Sequence, residues 1–353
     1  MVLFLMYKIK IVWYNQVITF AKPLFWFFQL LAIRKNIRIT RNYFVNKKFV
    51  KAIESFDKKA MEDIKKADLH SHTLYSMDRE YLEREGHIIP KSEGVCDIAS
   101  LIDFSRKYIK PIIQTKQGLK ILIEGMIEKC KLSGVSIVDS DIDFKICMIT
   151  FDSNVAEFIN FLKQFENKDL KIRWVLDISR DSYNQEIHEE LLERLIESGY
   201  FYGIDLTSTE NIVPNHIFKN IYDRANGLGM VTKIHAGEQL GSGYIKDCIV
   251  ELNPKQIQHG ISIVSDPNVM KLAREKGIVF NVCPTSNVVL GYAKDIKTHP
   301  IREMVKNGLR VTIATDDILF FESDINDEYL KLYKENVLTA NELDRIREFG
   351  LSL

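Results

Sequence analysis

The chain of 353 residues has no excess of charge of either sign, since 48 Lys and Arg balance 48 Asp and Glu. Binding nucleic acid takes a surplus of basic side chains to neutralise phosphates, so nucleic acid is excluded as the main partner. Eight prolines and 17 glycines are few for this length, which argues against long flexible linkers. The five cysteines (Cys96, Cys130, Cys147, Cys248 and Cys283) are scattered and never form a C-x-x-C pair. That excludes a secreted disulfide framework and a Cys-rich zinc knuckle. Reduced, mostly buried thiols fit a cytoplasmic enzyme. What remains is ordinary globular material, 46% hydrophobic and 27% charged. One large unit, such as a barrel of about 250 residues, accounts for most of it.

The first 66 residues differ in character. Val17 to Ile33 is strongly apolar and is followed by Arg34, Lys35, Arg38 and Arg41. A spanning helix needs about 20 apolar residues. This run is shorter, is broken by Lys22, Pro23 and Gln29, and lacks the flanks of a signal peptide. An appended helical hairpin is the favoured expectation, ahead of an interfacial amphipathic helix or a membrane span. Lys47 to Lys66 reads as a charged helix. The expected domains are therefore a helical extension, 1–66, and a barrel, 67–353.

From Ala67 onward, short apolar runs alternate with helical patterns. The candidate strands are Ala67–His72, Val135–Ile142, Ile172–Ile178, Phe201–Leu206, Val231–Ala236, Ile257–His259, Ile278–Cys283 and Val311–Thr315. Strand–helix alternation implies right-handed βαβ units and a parallel sheet. Eight such strands in about 250 residues match a (β/α)8 barrel of the TIM type. The long gap after the first strand, roughly Ser76 to Lys129, reads as a lid over the barrel mouth.

The chemically capable residues fall at strand ends. His70 and His72 close the first strand, His235 and Glu238 the fifth, His259 the sixth, and Asp316 and Asp317 the eighth. In a parallel barrel these ends converge on one face. Residues i and i+2 of a strand share a side, so His70 and His72 can hold one metal. His235 adds a third imidazole and Asp316 a carboxylate. Three nitrogens and one oxygen suit zinc, one ion per chain, with a position left for water.

In this arrangement the chain resembles the adenosine and AMP deaminases of the metal-dependent amidohydrolase superfamily. The motifs are His70-Ser-His72, Gly203-Ile-Asp205-Leu206, His235-Ala-Gly-Glu238, His259-Gly260, Cys283-Pro-Thr-Ser-Asn287, His299-Pro300 and Thr315-Asp316-Asp317. The resemblance implies zinc held by His70, His72, His235 and Asp316, and a small purine nucleoside as partner. It further implies that Glu238 exchanges a proton with purine N1 and that His259 orients and deprotonates the attacking water. Asp317 would accept a hydrogen bond at N7, and the Gly203 backbone N–H would meet N3. Deaminases that edit nucleic acids instead use H-x-E followed by P-C-x-x-C; the His188-Glu-Glu190 triplet has no such partner. Asp205 reads as a loop-stabilising carboxylate, Cys283 and Asn287 as residues of the strand-seven turn, and His299 as a helix-start residue. His87, His188 and His216 read as surface residues.

The sequence departs from the family where adenosine deaminases usually carry H-x-H-L-D-G, their Asp touching the ribose 5′ hydroxyl. Leu74 occupies that position here. Asp78 and Arg79 are the candidates to replace it. AMP is disfavoured because no Arg/Lys cluster stands beside the motifs, although Arg79, Arg84 and Lys91 lie in the expected lid. Zinc-dependent deamination of adenosine is the leading expectation. AMP, adenine or a 5′-modified adenosine are the alternative substrates, and a non-catalytic metal-binding scaffold is the reading from another class.

Overall fold

The computed structural model describes residues 45–353. The apolar run Val17–Ile33, with its hairpin, interfacial and spanning readings, lies outside the described residues. Among the described residues, no helix is long and apolar enough to cross a membrane.

Eight parallel strands pair in chain order: β1 (Lys66–His72), β2 (Val135–Asp143), β3 (Lys171–Ser179), β4 (Gly203–Thr207), β5 (Val231–Ala236), β6 (Gln256–His259), β7 (Val279–Val282) and β8 (Arg310–Ile313). The circle closes beyond the end of β8. There Asp316 bridges Ser71, its N–H donating to the His70 carbonyl at 3.0 Å and its carbonyl accepting from His72 N–H at 3.2 Å. This is the TIM-type barrel, with helices around it. Helical amphipathicity placed several of them closely: Gln185–Glu197 and Lys219–Gly227 bury one face, and Pro267–Lys276 begins at a proline and ends at left-handed Gly277.

The first connection divides in two. Lys116–Leu132 is the crossover helix, capped by Thr115 and packed along β2. The part that reaches the barrel mouth is therefore shorter than the Ser76–Lys129 span. Its Val95 and Leu101 form a separate apolar cluster with Leu290, Phe320 and Phe321 from the loops after β7 and β8.

Two expectations need correction. Lys47–Lys66 is not one helix but two, Lys47–Glu54 and Lys58–Glu62. The break falls at Phe56, with φ 55°, after which Asp57 caps the second helix. Phe49 of the first stacks edge-on against Tyr329 at 5.3 Å. His188 is buried, not on the surface. Its Nδ1 accepts the Asn184 N–H at 3.0 Å, and its ring meets Phe144 edge-on. A histidine inside an acidic helical stretch looked solvated because its apolar partners come from other elements.

Candidate active site

The mouth of the barrel holds a cavity into which His72, His235, Glu238, His259, Asp316 and Asp317 all project. His70 stands just beneath, its ring 4.9 Å from His72, 4.7 Å from His235 and 5.3 Å from His259. All of these groups but His72 are buried outright, and most lie at strand ends, where the pleat turns alternate side chains inward.

Electrostatics decide what the cluster wants. His70 Nδ1 lies 3.0 Å from Asp141 Oδ2. A carboxylate accepts, so Nδ1 carries the hydrogen and Nε2 is left with its lone pair. That Nε2 is buried without a hydrogen-bond partner, 3.3 Å from Asp316 Oδ1. His72 Nε2 faces the same oxygen at 3.4 Å. Lone pairs converging at such distances need a positive charge among them. Burial alone would lower the His70 pKa, yet the neighbouring carboxylates of Asp141 and Asp316 raise it to about 10. The cluster therefore draws positive charge. Its donor set of imidazole nitrogens and one carboxylate fits zinc. Cys283 lies within reach as well, but burial pushes its thiol far up and holds it protonated.

Glu238 lines the same cavity from the loop that follows β5, 3.4 Å from His259 Nδ1. Burial, then the charges of Asp316 and Glu210, push its carboxyl well above the usual range, so it is held protonated. Glu210 fixes the loop: its carboxylate accepts from the backbone N–H of Glu238 (2.9 Å), Gln239 (3.3 Å) and Leu240 (2.8 Å). Arg180, buried at the end of β3, donates to the carbonyls of Thr207 and His235. Nothing in the motifs pointed to either residue, because both act on backbone atoms of other strands.

Asn287 joins the acid to the histidine. The Ile301 N–H donates to His299 Nδ1 (3.1 Å), so neutral His299 carries its hydrogen on Nε2 and faces Asn287 Oδ1 at 3.3 Å. That orients the amide nitrogen toward Glu238 Oε1 (3.1 Å) and His259 Nδ1 (3.0 Å). Asn287 thus reaches past the strand-seven turn into the site. With Nδ1 accepting, neutral His259 carries its hydrogen on Nε2, and burial holds its pKa well below the ordinary value. This tautomer orients water by donation; deprotonating water would take the other one.

The remaining expectations fall as follows. Asp205 is inside the barrel and not on a loop: it lies 3.3 Å from His235 Nδ1 and accepts from Gln258 at 2.6 Å. Gly203 opens β4 at the opposite end of the strand and does not line the cavity. Its missing Cβ serves packing, since a Cβ there would stand 2.2 Å from the Val231 carbonyl. Thr207 and Ser208, at the other end of the strand, do line it, and Ser208 has φ 74°. Asp317 is held protonated by burial and by Asp316, and its Oδ1 is buried without a partner. A purine N7 carries no hydrogen, so a carboxyl meeting it would donate and not accept.

Leu74 lines the cavity, whereas Asp78 and Arg79 do not. Asp78 pairs with Lys129, and Arg79 with Glu322. Arg84 is engaged by Glu128. The fold does bring Arg106, Lys110 and Lys145 to the outer wall, which the sequence order hid. Arg106 is paired with Asp103 and Lys145 with Asp143, and Asp143, Asp177 and Asp181 line the same wall.

The family model described as adenosine deaminase matches residues 87–352. A Treponema pallidum protein named for adenosine/adenine deamination is 29% identical over 283 residues, which cover 78% of this chain and 93% of that one. Among solved structures, adenine deaminase from Arthrobacter aurescens superimposes with TM-score 0.71 at 24% identity, covering 81% of this chain and 92% of that chain. An amidohydrolase from Burkholderia ambifaria with bound Zn gives 0.68 at 18% identity, covering 88% and 89%. At these identities the two structures speak for the fold. The chain belongs to the adenosine deaminase family, as an aminohydrolase acting on a carbon–nitrogen bond of a cyclic amidine.

Proposed function

We propose that the protein hydrolyses the 6-amino group of adenosine, with one zinc per chain held by His70, His72, His235 and Asp316. When bound, zinc supplies the Lewis acidity that makes water a nucleophile at neutral pH. Glu238 gives a proton to purine N1 as water adds to C6, which draws charge away from the reacting carbon. The carboxylate so formed takes the water's proton and passes it to the amine, and ammonia leaves as the new hydroxyl's hydrogen returns to Glu238 and C6 becomes a carbonyl. Asp317 donates to N7 and fixes the ring, while the turn at Thr207 and Ser208 takes the N3 side in place of Gly203. His259 holds the water through Nε2. The observation that carries this reading is the contrast at the end of β5: His235 faces the imidazole cluster, and three residues later Glu238 is buried against Asn287, its carboxyl pushed well above the usual range. Opposed environments for neighbouring titratable groups are how one site performs both acid and base chemistry.

Adenine is the second reading, favoured by two observations. The Arthrobacter structure is named an adenine deaminase, and Leu74 offers a sugar no acceptor. The acidic outer wall and the paired state of Arg106 and Lys145 disfavour AMP. Zinc analysis together with ammonia release from adenosine, adenine and AMP tests the proposal. Activity on adenosine that tracks zinc content is expected. Turnover of adenine alone would replace the leading reading by the second, and release from none of the three would overturn both.

A further inference from the structure

Each imidazole of the proposed zinc site has its own carboxylate behind it. His70 Nδ1 faces Asp141 at 3.0 Å, His235 Nδ1 faces Asp205 at 3.3 Å, and His72 Nδ1 faces Asp177 Oδ2 at 3.8 Å. The three acids come from three successive strands, β2, β3 and β4. Register explains the repetition: His72 is paired with Asp141 across β1–β2, and Asp177 with Asp205 across β3–β4. So far Asp177 has counted only as one acid of the cavity wall. Its Oδ1 accepts the Thr207 hydroxyl at 2.5 Å, which fixes one oxygen and leaves the other turned toward His72. Among the described residues, no other carboxylate comes within 4.0 Å of His72 Nδ1.

We infer that Asp177 is the positioning residue for His72: it takes the Nδ1 hydrogen, so that Nε2 presents its lone pair beside Asp316. The gap of 3.8 Å closes by a small turn of the carboxylate about its soft sp³–sp² torsion. A carboxylate behind a ligating imidazole fixes the tautomer and raises the ring's basicity, and losing one costs about 10–100-fold in metal affinity. This inference rests on the zinc reading above.

Competition of the full chain against a chromophoric zinc chelator decides it. Wild type is measured first: absence of a tight site there would fail the zinc reading itself. Given a wild-type site, Asp177→Asn, which is isosteric, is expected to weaken zinc by about tenfold or more. Thr207→Val, which releases the other oxygen, should weaken it by a smaller factor in the same direction. Asp181→Asn should leave zinc affinity unchanged, because that acid lines the cavity but is bonded to Thr209. Wild-type zinc affinity in Asp177→Asn overturns the inference, and a raised KM in that same variant would place Asp177 against substrate instead.

Discussion

Asn287 points its amide nitrogen at Glu238, 3.1 Å from Oε1, and it does so because its oxygen is committed to His299. The proposed proton donor of the site is therefore aimed by a residue from another strand's loop. Asn287→Ala should keep zinc and lower kcat by about 10–100-fold, the usual cost of losing an orienting partner. Side-by-side metal analysis and kcat measurement check it; loss of zinc in this variant would contradict the network as described.

His299 gives the network a pH limit. Burial lowers its pKa from 6.5 to about 4. Between those values the unfolded chain binds the proton and the folded chain does not, so stability falls as pH drops through that window. The share lost is about 3 kcal/mol, from roughly 1.4 kcal/mol per unit. Urea midpoints at neutral pH and near the lower edge of the window should separate more for wild type than for His299→Gln. Equal separations would show that His299 carries no such linkage.

His235→Ala should remove zinc and activity together, since it deletes one of the three imidazoles proposed to hold the metal. A variant that retains full zinc would take His235 out of the ligand set.

Glu238→Gln is the complementary case. The amide preserves shape and the bond to Asn287 but cannot pass a proton. Zinc should stay while turnover falls by about 10²–10⁴. Zinc loss on this change would make Glu238 a ligand.

The 5′ end of the substrate should matter little. Leu74 presents an apolar wall, and apolar walls discriminate hydroxyl from hydrogen weakly, whereas a dedicated buried acceptor discriminates strongly. The kcat/KM for 5′-deoxyadenosine should lie within about tenfold of that for adenosine. Asp78→Ala should leave that ratio unchanged, because Asp78 is spent on Lys129 outside the cavity. A preference for adenosine above about a hundredfold would reveal a polar 5′ contact.

The strands were legible because each is an apolar run stopped by a polar residue, and the polar stops were themselves the site. Residues that work through another strand left no such mark. Asp141 and Asp177 sit inside strand runs with no motif of their own, and only the barrel turns them inward behind imidazoles. Glu210 and Arg180 bind backbone atoms, which no side-chain pattern reveals. Gly203 misled because the motif around Asp205 was anchored at its first residue, a packing glycine, when the turn that reaches the cavity lies five positions later. Lys145 is far from Arg106 and Lys110 along the chain and joins them only on the cavity wall.

The seam at Asp316 has a consequence for biosynthesis. The residue that joins the last strand to the first also completes the proposed ligand set. A nascent chain released as far as β7 owns all three imidazoles but not this carboxylate, and its barrel is still an open sheet with an exposed edge at β1. Tight metal capture then belongs to the final act of folding. Metal present during synthesis would favour the closed ring by mass action, because the full proposed ligand set would bind it more tightly than three imidazoles alone. Expression in zinc-starved medium should accordingly shift this protein toward aggregates seeded by unpaired strands, a failure visible as lost yield before any assay is run.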